Sequence, residues 1–397
     1  MDLSFLDREI AALRERGRYR FLRRLSTAQD AKIVIEGREV LNFSSNNYLG
    51  LANHPEVVSA LAEYAGRYGV GSGASRLISG HMDVHAELEE AMARFKGAES
   101  CLTFSAGYMA NLGILSTLGD PDATIFSDER NHASIVDGCR LARARVEVYR
   151  HADVNHLEDL LRASPSRRKI VVTDGVFSMD GDLAPLPDLV EAKDRHGAIL
   201  VVDDAHATGV LPPRGRGSAD AFGLAGRVEI QMGTFSKALG TYGAYLCSTK
   251  RMVEYFINKC RPFIFNTGLP PAIAGATLVS LGLLAREPGR LEALWENGRS
   301  FRKEMEARGR KVASETAIVP ILVGGDGETM TVSKALFDRG IFVHGIRPPT
   351  VPEGTGRLRL TLMATHTGEM VRAAAERIDE ALWEQGIGPD GTAAAKG

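Results

Sequence analysis

Short apolar runs alternate with amphipathic segments through the middle of the chain. Each run ends in or beside glycine, aspartate or serine, and the segments between many of them have the spacing of helices. This alternation is typical of an α/β fold, and it predicts a mostly parallel seven-stranded sheet covered by helices. The predicted strands are residues 100–104, 124–127, 145–149, 169–173, 198–203, 228–233 and 243–248.

The pattern changes after Pro270 and Pro271, where longer helices precede a few strands. This change predicts a smaller C-terminal α+β domain with helices over 272–285, 290–309 and 367–385 and strands over 317–323, 341–345 and 357–363. The last strand alternates strictly, which predicts one apolar face and one face carrying Arg357, Arg359 and Thr361. The predicted division is an N-terminal segment 1–45, a large domain 46–271, a small domain 272–385 and a disordered tail 386–397.

Composition and charge favour an enzyme that acts on small molecules. The 397 residues are 44% hydrophobic and 25% charged, with a formal net charge of -2, which gives no electrostatic footprint for nucleic acid or an anionic membrane. The N-terminus lacks the features of a signal or transit peptide, so we expect a cytoplasmic protein. The most apolar stretch, 272–285, is too short to span a membrane.

Neither the cysteines nor the histidines predict a metal site. The four cysteines are widely spaced, as expected for reduced thiols. His81 and His85 have the spacing of a zinc-binding helix, but Met82 stands where that motif needs glutamate. We therefore expect no metal.

Two segments predict a pyridoxal phosphate (PLP) site. They are VDDAH (202–206), at the end of an apolar run, and GTFSK (233–237), after the next one. PLP needs an amine to hold its aldehyde and a carboxylate to keep its ring nitrogen protonated, and Lys237 and Asp203 supply that pair. The alternative is structural, since Asp203 and Asp204 could cap a helix and a loop lysine is usually solvated.

Two more strand ends carry candidate cofactor residues. Residues 105–111 form a small-residue turn that opens a helix, so the backbone amides of this turn suit a phosphate. His132 follows another strand end and could stack on a flat ring. The glycine-rich segment 69–76 is not preceded by a clear strand, which argues against a dinucleotide-binding site.

Residues 41–366 resemble the α-oxoamine synthases, a family of the PLP-dependent fold-type I superfamily. The resemblance rests on NFSSNNYLGL (42–51), GSGASRL (71–77), DGVFSMDG (174–181), DDAH (203–206), GTFSK (233–237), IRPPTVP (346–352) and RLRLTL (357–362). It implies a homodimer with active sites at the interface. It also implies that Lys237 forms the Schiff base, Asp203 pairs with the ring nitrogen and His132 stacks on the ring.

The resemblance also implies further contacts to cofactor and substrates. The other cofactor residues would be Gly107, Tyr108, Ser178, His206, Thr234 and, from a neighbouring chain, Thr267. The substrate-binding residues would be Asn46 and Arg359 for the amino acid, Arg20 and Thr350 for the acyl donor, and His132. The implied reaction is a decarboxylative condensation of L-alanine with a pimeloyl thioester, carried by coenzyme A or a carrier protein, in biotin biosynthesis.

The cofactor motifs leave other members of the family open. Serine palmitoyltransferase, 5-aminolevulinate synthase and 2-amino-3-ketobutyrate ligase would share the lysine, the aspartate and the histidine. The segment 346–352 with the RLRLTL strand favours the alanine-dependent reaction. A non-catalytic PLP-fold subunit is a further alternative, against which the retained Lys237 argues.

Overall fold

A computed structural model describes residues 3–389, whose contacts divide into two compact units. The larger unit comprises Asn47–Ser178 and Asp182–Glu292. The smaller unit comprises the described residues up to Asn46, Met179–Gly181 and the chain from Ala293 onward. The domain limits after residues 45 and 271 remain a prediction. The segment from 271 to 292 groups here with the larger unit.

The helices and strands follow one another in the order that the apolar pattern suggests. The strands are β1 Lys32–Ile35, β2 Arg38–Asn42, β3 Ser100–Phe104, β4 Ala123–Asp128, β5 Arg145–Tyr149, β6 Arg168–Asp174, β7 Ile199–Asp203, β8 Ile230–Thr234, β9 Ala244–Ser248, β10 Ile318–Gly324, β11 Ile341–Phe342, β12 His344–Ile346 and β13 Gly356–Thr361. The helices are α1 Ser4–Glu15, α2 Pro55–Tyr68, α3 Asp83–Lys96, α4 Gly107–Leu118, α5 Ala133–Leu141, α6 Val154–Ala163, α7 Leu186–His196, α8 Ser218–Ala221, α9 Lys250–Lys259, α10 Arg261–Ile264, α11 Pro271–Arg286, α12 Gly289–Ala307, α13 Asp326–Asp338 and α14 Gly368–Glu384.

The larger unit is built on one seven-stranded sheet in the order β3-β9-β8-β7-β6-β4-β5. The strands from β8 to β5 are parallel, and β9 runs antiparallel to both of its neighbours. Alternate residues of β7 enter cores on opposite faces, Val201 on one and Leu200 and Val202 on the other. The predicted mostly parallel sheet and the α/β class are confirmed.

The smaller unit contains two three-stranded sheets, β1-β2-β11 and β10-β13-β12. The β1-β2 hairpin was not expected from the sequence. Its strands are short, and its turn places Glu36 and Gly37 at positive φ values of 52° and 82°. The predicted strand over 341–345 is instead divided between β11 and β12, which join different sheets.

Strand β13 has its predicted apolar and polar faces, and both of them are covered. All of its residues are buried, so the polar face is not exposed to solvent. Arg357 forms an ion pair with Asp180, and Arg359 donates to Thr361 Oγ1 over 3.1 Å. The alternation therefore identified which residues share a face, but not that both faces would be covered.

Three further expectations concern membrane-spanning helices, the cysteines and the C-terminal tail. Among residues 3–389, no helix is both long and apolar enough to cross a membrane. All four cysteines are buried and unpaired. Of the predicted tail, residues 390–397 lie outside the described residues, whereas Ile387 and Gly388 accept hydrogen bonds from Arg310.

Candidate active site

A cavity of about 180 Å³ lies in the larger unit, at the carboxyl ends of the central strands. Ligands of open α/β sheets bind at this edge, because successive parallel strands all point their carboxyl ends toward it. The cavity is lined by Gly107, Tyr108, Asn111, His132, Ser134, Asp174, Asp203, Ala205, His206, Met232, Thr234, Ser236 and Lys237. Seven residues predicted from the sequence therefore come together here.

The two consecutive aspartates at the end of β7 have different surroundings. Asp203 lines the cavity, where its Oδ2 accepts from Asn111 Nδ2 at 2.7 Å and its Oδ1 from the Ala205 amide at 2.8 Å. Asp204 is buried instead against Lys96, whose Nζ lies 2.8 Å from its Oδ2. Asp203 is thus the carboxylate available to a cationic ring nitrogen, as the sequence suggested.

Lys237 lies three residues beyond the end of β8 and joins a chain of polar side chains. Its Nζ is 2.9 Å from His206 Nε2, and His206 Nδ1 is 2.6 Å from the Tyr48 hydroxyl. His206 and Tyr48 are buried. This arrangement holds the amine at the cavity and gives it a neighbour that can exchange a proton with it.

His132 occupies the N-cap of α5 in a neutral form. Its Nδ1 accepts from the Ser134 amide at 3.2 Å, so the ring proton is on Nε2. Burial lowers the pKa of His132, with Lys237 adding to that effect and Asp203 opposing it. The His132 amide donates to Asp174 Oδ2 at 2.8 Å, and burial, followed by the charge of Asp203, raises the pKa of Asp174 well above its usual range.

The opposite end of the cavity suits an anion. Helix α4 begins at Gly107 directly after β3, and no side chain caps its first amides. Thr234 Oγ1 lies 2.7 Å from Ser236 Oγ, which adds two hydroxyl groups. A Cβ on Gly107 would lie 3.4 Å from Met232 Cε, which is an ordinary van der Waals contact. A carboxylate, an amine and an anion-binding turn together fit PLP.

Six predicted site residues do not line this cavity. Ser178 and Thr267 belong to the larger unit, where Thr267 is exposed. Arg20, Asn46, Thr350 and Arg359 belong to the smaller unit. Arg359 is buried, and its Nη1 is 3.4 Å from Asn46 Oδ1. The two residues predicted to bind the amino-acid substrate therefore lie next to each other. Arg20 and Thr350 are exposed.

Three residues near the cavity, and Lys96 in the buried pair with Asp204, were not recognised from the sequence. Asn111 lies one helical turn after Gly107, and this spacing could have placed it beside the same ligand. Asp174 ends β6, so a polar residue after an apolar run was an available signal. Tyr48 and Lys96 approach from distant parts of the chain, and no local pattern marks them.

The paired histidines of the possible zinc motif have structural partners. His85 Nδ1 accepts from the Met82 amide at 3.0 Å, and its Nε2 donates to the Leu269 carbonyl at 2.7 Å. His81 Nδ1 accepts from Arg76 Nε at 3.1 Å. Both Nδ1 atoms are therefore already engaged by donors.

Two histidines outside the cavity have strongly shifted pKa values. Burial lowers the pKa of His151, but hydrogen bonds with Asp128 and Asp182, at 3.0 and 2.7 Å, outweigh burial and raise it to about 9. Burial lowers the pKa of His366 to about 4, although its Nε2 donates to the Asn42 carbonyl at 2.9 Å. The first histidine is therefore charged and the second neutral near pH 7.

Comparisons with known proteins agree with this geometry. A model of the family "Aminotransferase class I and II" matches residues 38–378. The 8-amino-7-oxononanoate synthase of Geobacter sulfurreducens is 52% identical over 372 residues, which cover 92% of this chain and 95% of the relative. The corresponding enzyme of Symbiobacterium thermophilum is 45% identical, covering 96% of each chain.

Solved structures show the same fold, and one of them contains PLP. A serine palmitoyltransferase of S. paucimobilis with a bound PLP-myriocin aldimine is 34% identical with a TM-score of 0.92, covering 98% of this chain and 100% of its own. The 8-amino-7-oxononanoate synthase of Francisella tularensis is 29% identical with a TM-score of 0.77, covering 88% and 99%. The chain therefore belongs to the class I and II aminotransferase family of PLP-dependent fold-type I enzymes.

Proposed function

We propose that this chain is a PLP-dependent acyltransferase of biotin biosynthesis. It condenses L-alanine with a pimeloyl thioester and releases 8-amino-7-oxononanoate, CO2 and the free thiol. The observation that carries the proposal is the meeting of Asp203, Lys237 and a neutral His132 in one cavity, in a chain 52% identical to a curated 8-amino-7-oxononanoate synthase.

Bound PLP supplies an aldehyde for the substrate amine and an electron-accepting ring that stabilises a carbanion at the substrate Cα. Asp203 keeps the ring nitrogen protonated, and the hydrogen bond from Asn111 orients its carboxylate. Lys237 Nζ removes and returns the Cα proton, with His206 beside it at 2.9 Å. His132 stacks on the ring and donates its Nε2 proton toward the thioester oxygen as negative charge develops there.

The remaining assignments follow from the resemblance to the α-oxoamine synthases. The α4 amides at Gly107 and Tyr108 bind the phosphate together with Thr234 and, in a homodimer, Thr267 of the neighbouring chain. Ser178 and His206 bind near the ring oxygen. Arg359 and Asn46 bind the carboxylate of alanine, while Arg20 and Thr350 contact the acyl donor. We further propose a cytoplasmic location and either coenzyme A or a carrier protein as the thiol.

A second candidate is condensation of L-serine with a long-chain acyl thioester. The serine palmitoyltransferase of S. paucimobilis has a TM-score of 0.92 to this chain, against 0.77 for the Francisella tularensis synthase. Its sequence identity is 34%, however, while eight curated synthases share 43–52%. Side chains rather than backbone shape select a substrate, so the higher identity favours alanine.

A matrix of alanine, serine and glycine against pimeloyl-, palmitoyl-, succinyl- and acetyl-CoA, assayed by thiol release, separates the candidates. We expect the highest kcat/KM for alanine with pimeloyl-CoA. A preference for serine with palmitoyl-CoA would transfer the assignment to the second candidate. The Lys237→Ala variant should lose both turnover and the visible absorbance of lysine-bound PLP, whereas the exposed-site control Lys250→Ala should retain them.

A further inference from the structure

Two hydrogen bonds in series connect the amine of Lys237 to a buried tyrosine hydroxyl that the proposed chemistry does not yet use. Lys237 Nζ lies 2.9 Å from His206 Nε2, and His206 Nδ1 lies 2.6 Å from the Tyr48 hydroxyl. Tyr48 is fully buried and His206 is 7% exposed. Both ring nitrogens of the imidazole therefore have a partner, and these partners decide which nitrogen carries the proton.

The turn that carries Tyr48 holds its hydroxyl in place. The carbonyl of Asn47 accepts from the Gly50 amide at 2.9 Å, and Asn47 Oδ1 accepts from the Ala52 amide at 3.1 Å. Gly50 has a φ of 69°, in the left-handed region that glycine adopts without strain. The backbone on both sides of the tyrosine is thus fixed by hydrogen bonds, and its ring is fixed by burial.

The chemistry of the two groups indicates which of them donates. A phenol is a stronger acid than the N–H of a neutral imidazole, so the Tyr48 hydroxyl donates and His206 Nδ1 accepts. A neutral imidazole has one ring proton, which is then on Nε2. Nε2 donates toward the cavity, where a free-base lysine amine and the ring oxygen of PLP are both acceptors. The opposite tautomer would accept at Nε2 and would favour the ammonium form of Lys237.

We propose that Tyr48 fixes the Nε2-protonated tautomer of His206 and thereby keeps Lys237 in its free-base form. The inference rests on the proposed function, because a lysine that removes a Cα proton must be unprotonated when it acts. Tyr48 does not line the cavity, so it acts through His206. It is a positioning residue, and its own proton stays on its oxygen.

Other titratable groups share the surroundings of the amine. Those that line the cavity with Lys237 and His206 are Asp174, Asp203, His132 and Tyr108. They come from the ends of β6 and β7, the N-cap of α5 and the first turn of α4. None of them is altered when the tyrosine loses its hydroxyl. A comparison of that variant with wild type at each pH therefore separates the hydroxyl from these groups.

Exchange of the L-alanine Cα proton in D2O, followed by NMR on the holoenzyme without an acyl donor, tests the effect on Lys237. Tyr48→Phe keeps the buried ring and loses only the hydroxyl. We expect the exchange rate at pH 7 to fall about 3- to 10-fold, the ratio that corresponds to one net hydrogen bond. The acid limb of the pH profile should move upward by about half to one pH unit, so that the two rates converge at high pH.

A matched control separates this role from a general effect of losing a buried hydroxyl. Tyr245 is also fully buried, and its hydroxyl lies 2.5 Å from Thr208 Oγ1, outside the cavity. The pH profile of Tyr245→Phe should be the same as that of wild type. A profile of Tyr48→Phe that superimposes on wild type, or that falls by the same factor at every pH, overturns the inference.

NMR of 15N-histidine in the holoenzyme reports the tautomer without turnover. The His206 signals are assigned by their loss in His206→Gln. We expect protonation at Nε2 in wild type and a shift toward Nδ1 in Tyr48→Phe. Protonation at Nδ1 in wild type, or an unchanged tautomer in Tyr48→Phe, overturns the inference. If the tautomer follows Tyr48 as expected but wild type neither exchanges the alanine proton nor releases thiol, the proposed function fails and the control of His206 by Tyr48 stands.

Discussion

Replacing Lys96 with methionine should destabilise the larger unit strongly while leaving the cofactor chemistry intact in the folded protein. The side chains of Lys96 and Asp204 are both fully buried, and Nζ lies 2.8 Å from Oδ2. The variant leaves Asp204 uncompensated except by hydrogen bonds from the amide and hydroxyl of Ser218. Removing one partner of a buried ion pair costs about 3–5 kcal/mol, which sets the expected loss in the free energy of unfolding.

Urea unfolding at equilibrium, followed by far-UV circular dichroism, measures this loss. The control Lys259→Met removes an exposed lysine of α9 and should change stability by less than about 0.5 kcal/mol. The double variant Lys96→Met/Asp204→Leu should recover part of the loss, because it removes the isolated charge but leaves the Ser218 donors unsatisfied. If Lys96→Met lowers the free energy of unfolding by less than about 1 kcal/mol, the reasoning is refuted, because the Asp204 carboxylate is then not an uncompensated buried charge. Loss of PLP absorbance in folded Lys96→Met would refute the separation of Asp204 from the cofactor site.

Three further predictions concern the hydrogen bond to Asp203 and the two shifted histidines. Asn111→Ala removes the donor 2.7 Å from Asp203 and should lower kcat about 10-fold, with the holoenzyme absorbance showing whether PLP is retained; an unchanged kcat would contradict the orienting role. Two carboxylates outweigh burial at His151 and raise its folded pKa to about 9, so the stability that His151 contributes is complete below about pH 6.5 and is lost as the pH rises through 9. Thermal unfolding midpoints should therefore fall between about pH 6.5 and 9 in wild type but not in His151→Gln. Burial gives His366 a folded pKa of about 4, so as the pH falls its imidazole is protonated in the unfolded chain before it is protonated in the folded protein. The free energy of unfolding should therefore fall by up to about 3 kcal/mol between about pH 6.5 and 4, and a His366→Gln variant with the same acid sensitivity would disprove this.

Local patterns were sufficient for the large sheet and for part of the site. Strands of a parallel sheet are buried on both faces, so they appear as continuous apolar runs such as 198–203, and their ends are marked by the first polar residue. Because these ends share one edge, the residues that follow them, Asp203, His132 and Lys237, could be predicted to converge. The small hairpin β1-β2 was missed because four- and five-residue strands carry too little periodicity.

Residues that approach from distant segments could not be found in this way. Lys96 reaches Asp204 across 108 positions of the sequence, and Tyr48 reaches His206 across 158. Each is an ordinary residue in its own segment, a lysine in the last turn of a helix and a tyrosine in a turn. Their roles depend on the helices and strands packing against each other, which fixes the neighbours of a side chain independently of its sequence context.

The amino-acid sequence was enough to identify the fold class, the strand ends and the pair Asp203 and Lys237, because backbone periodicity and reactive groups are local properties. The packed structure was needed to separate the two adjacent aspartates, one at the cavity and one in a buried ion pair. It also determined that the polar face of β13 is covered. Burial and pairing are sums over neighbours brought together by folding, so they become visible when the elements have packed.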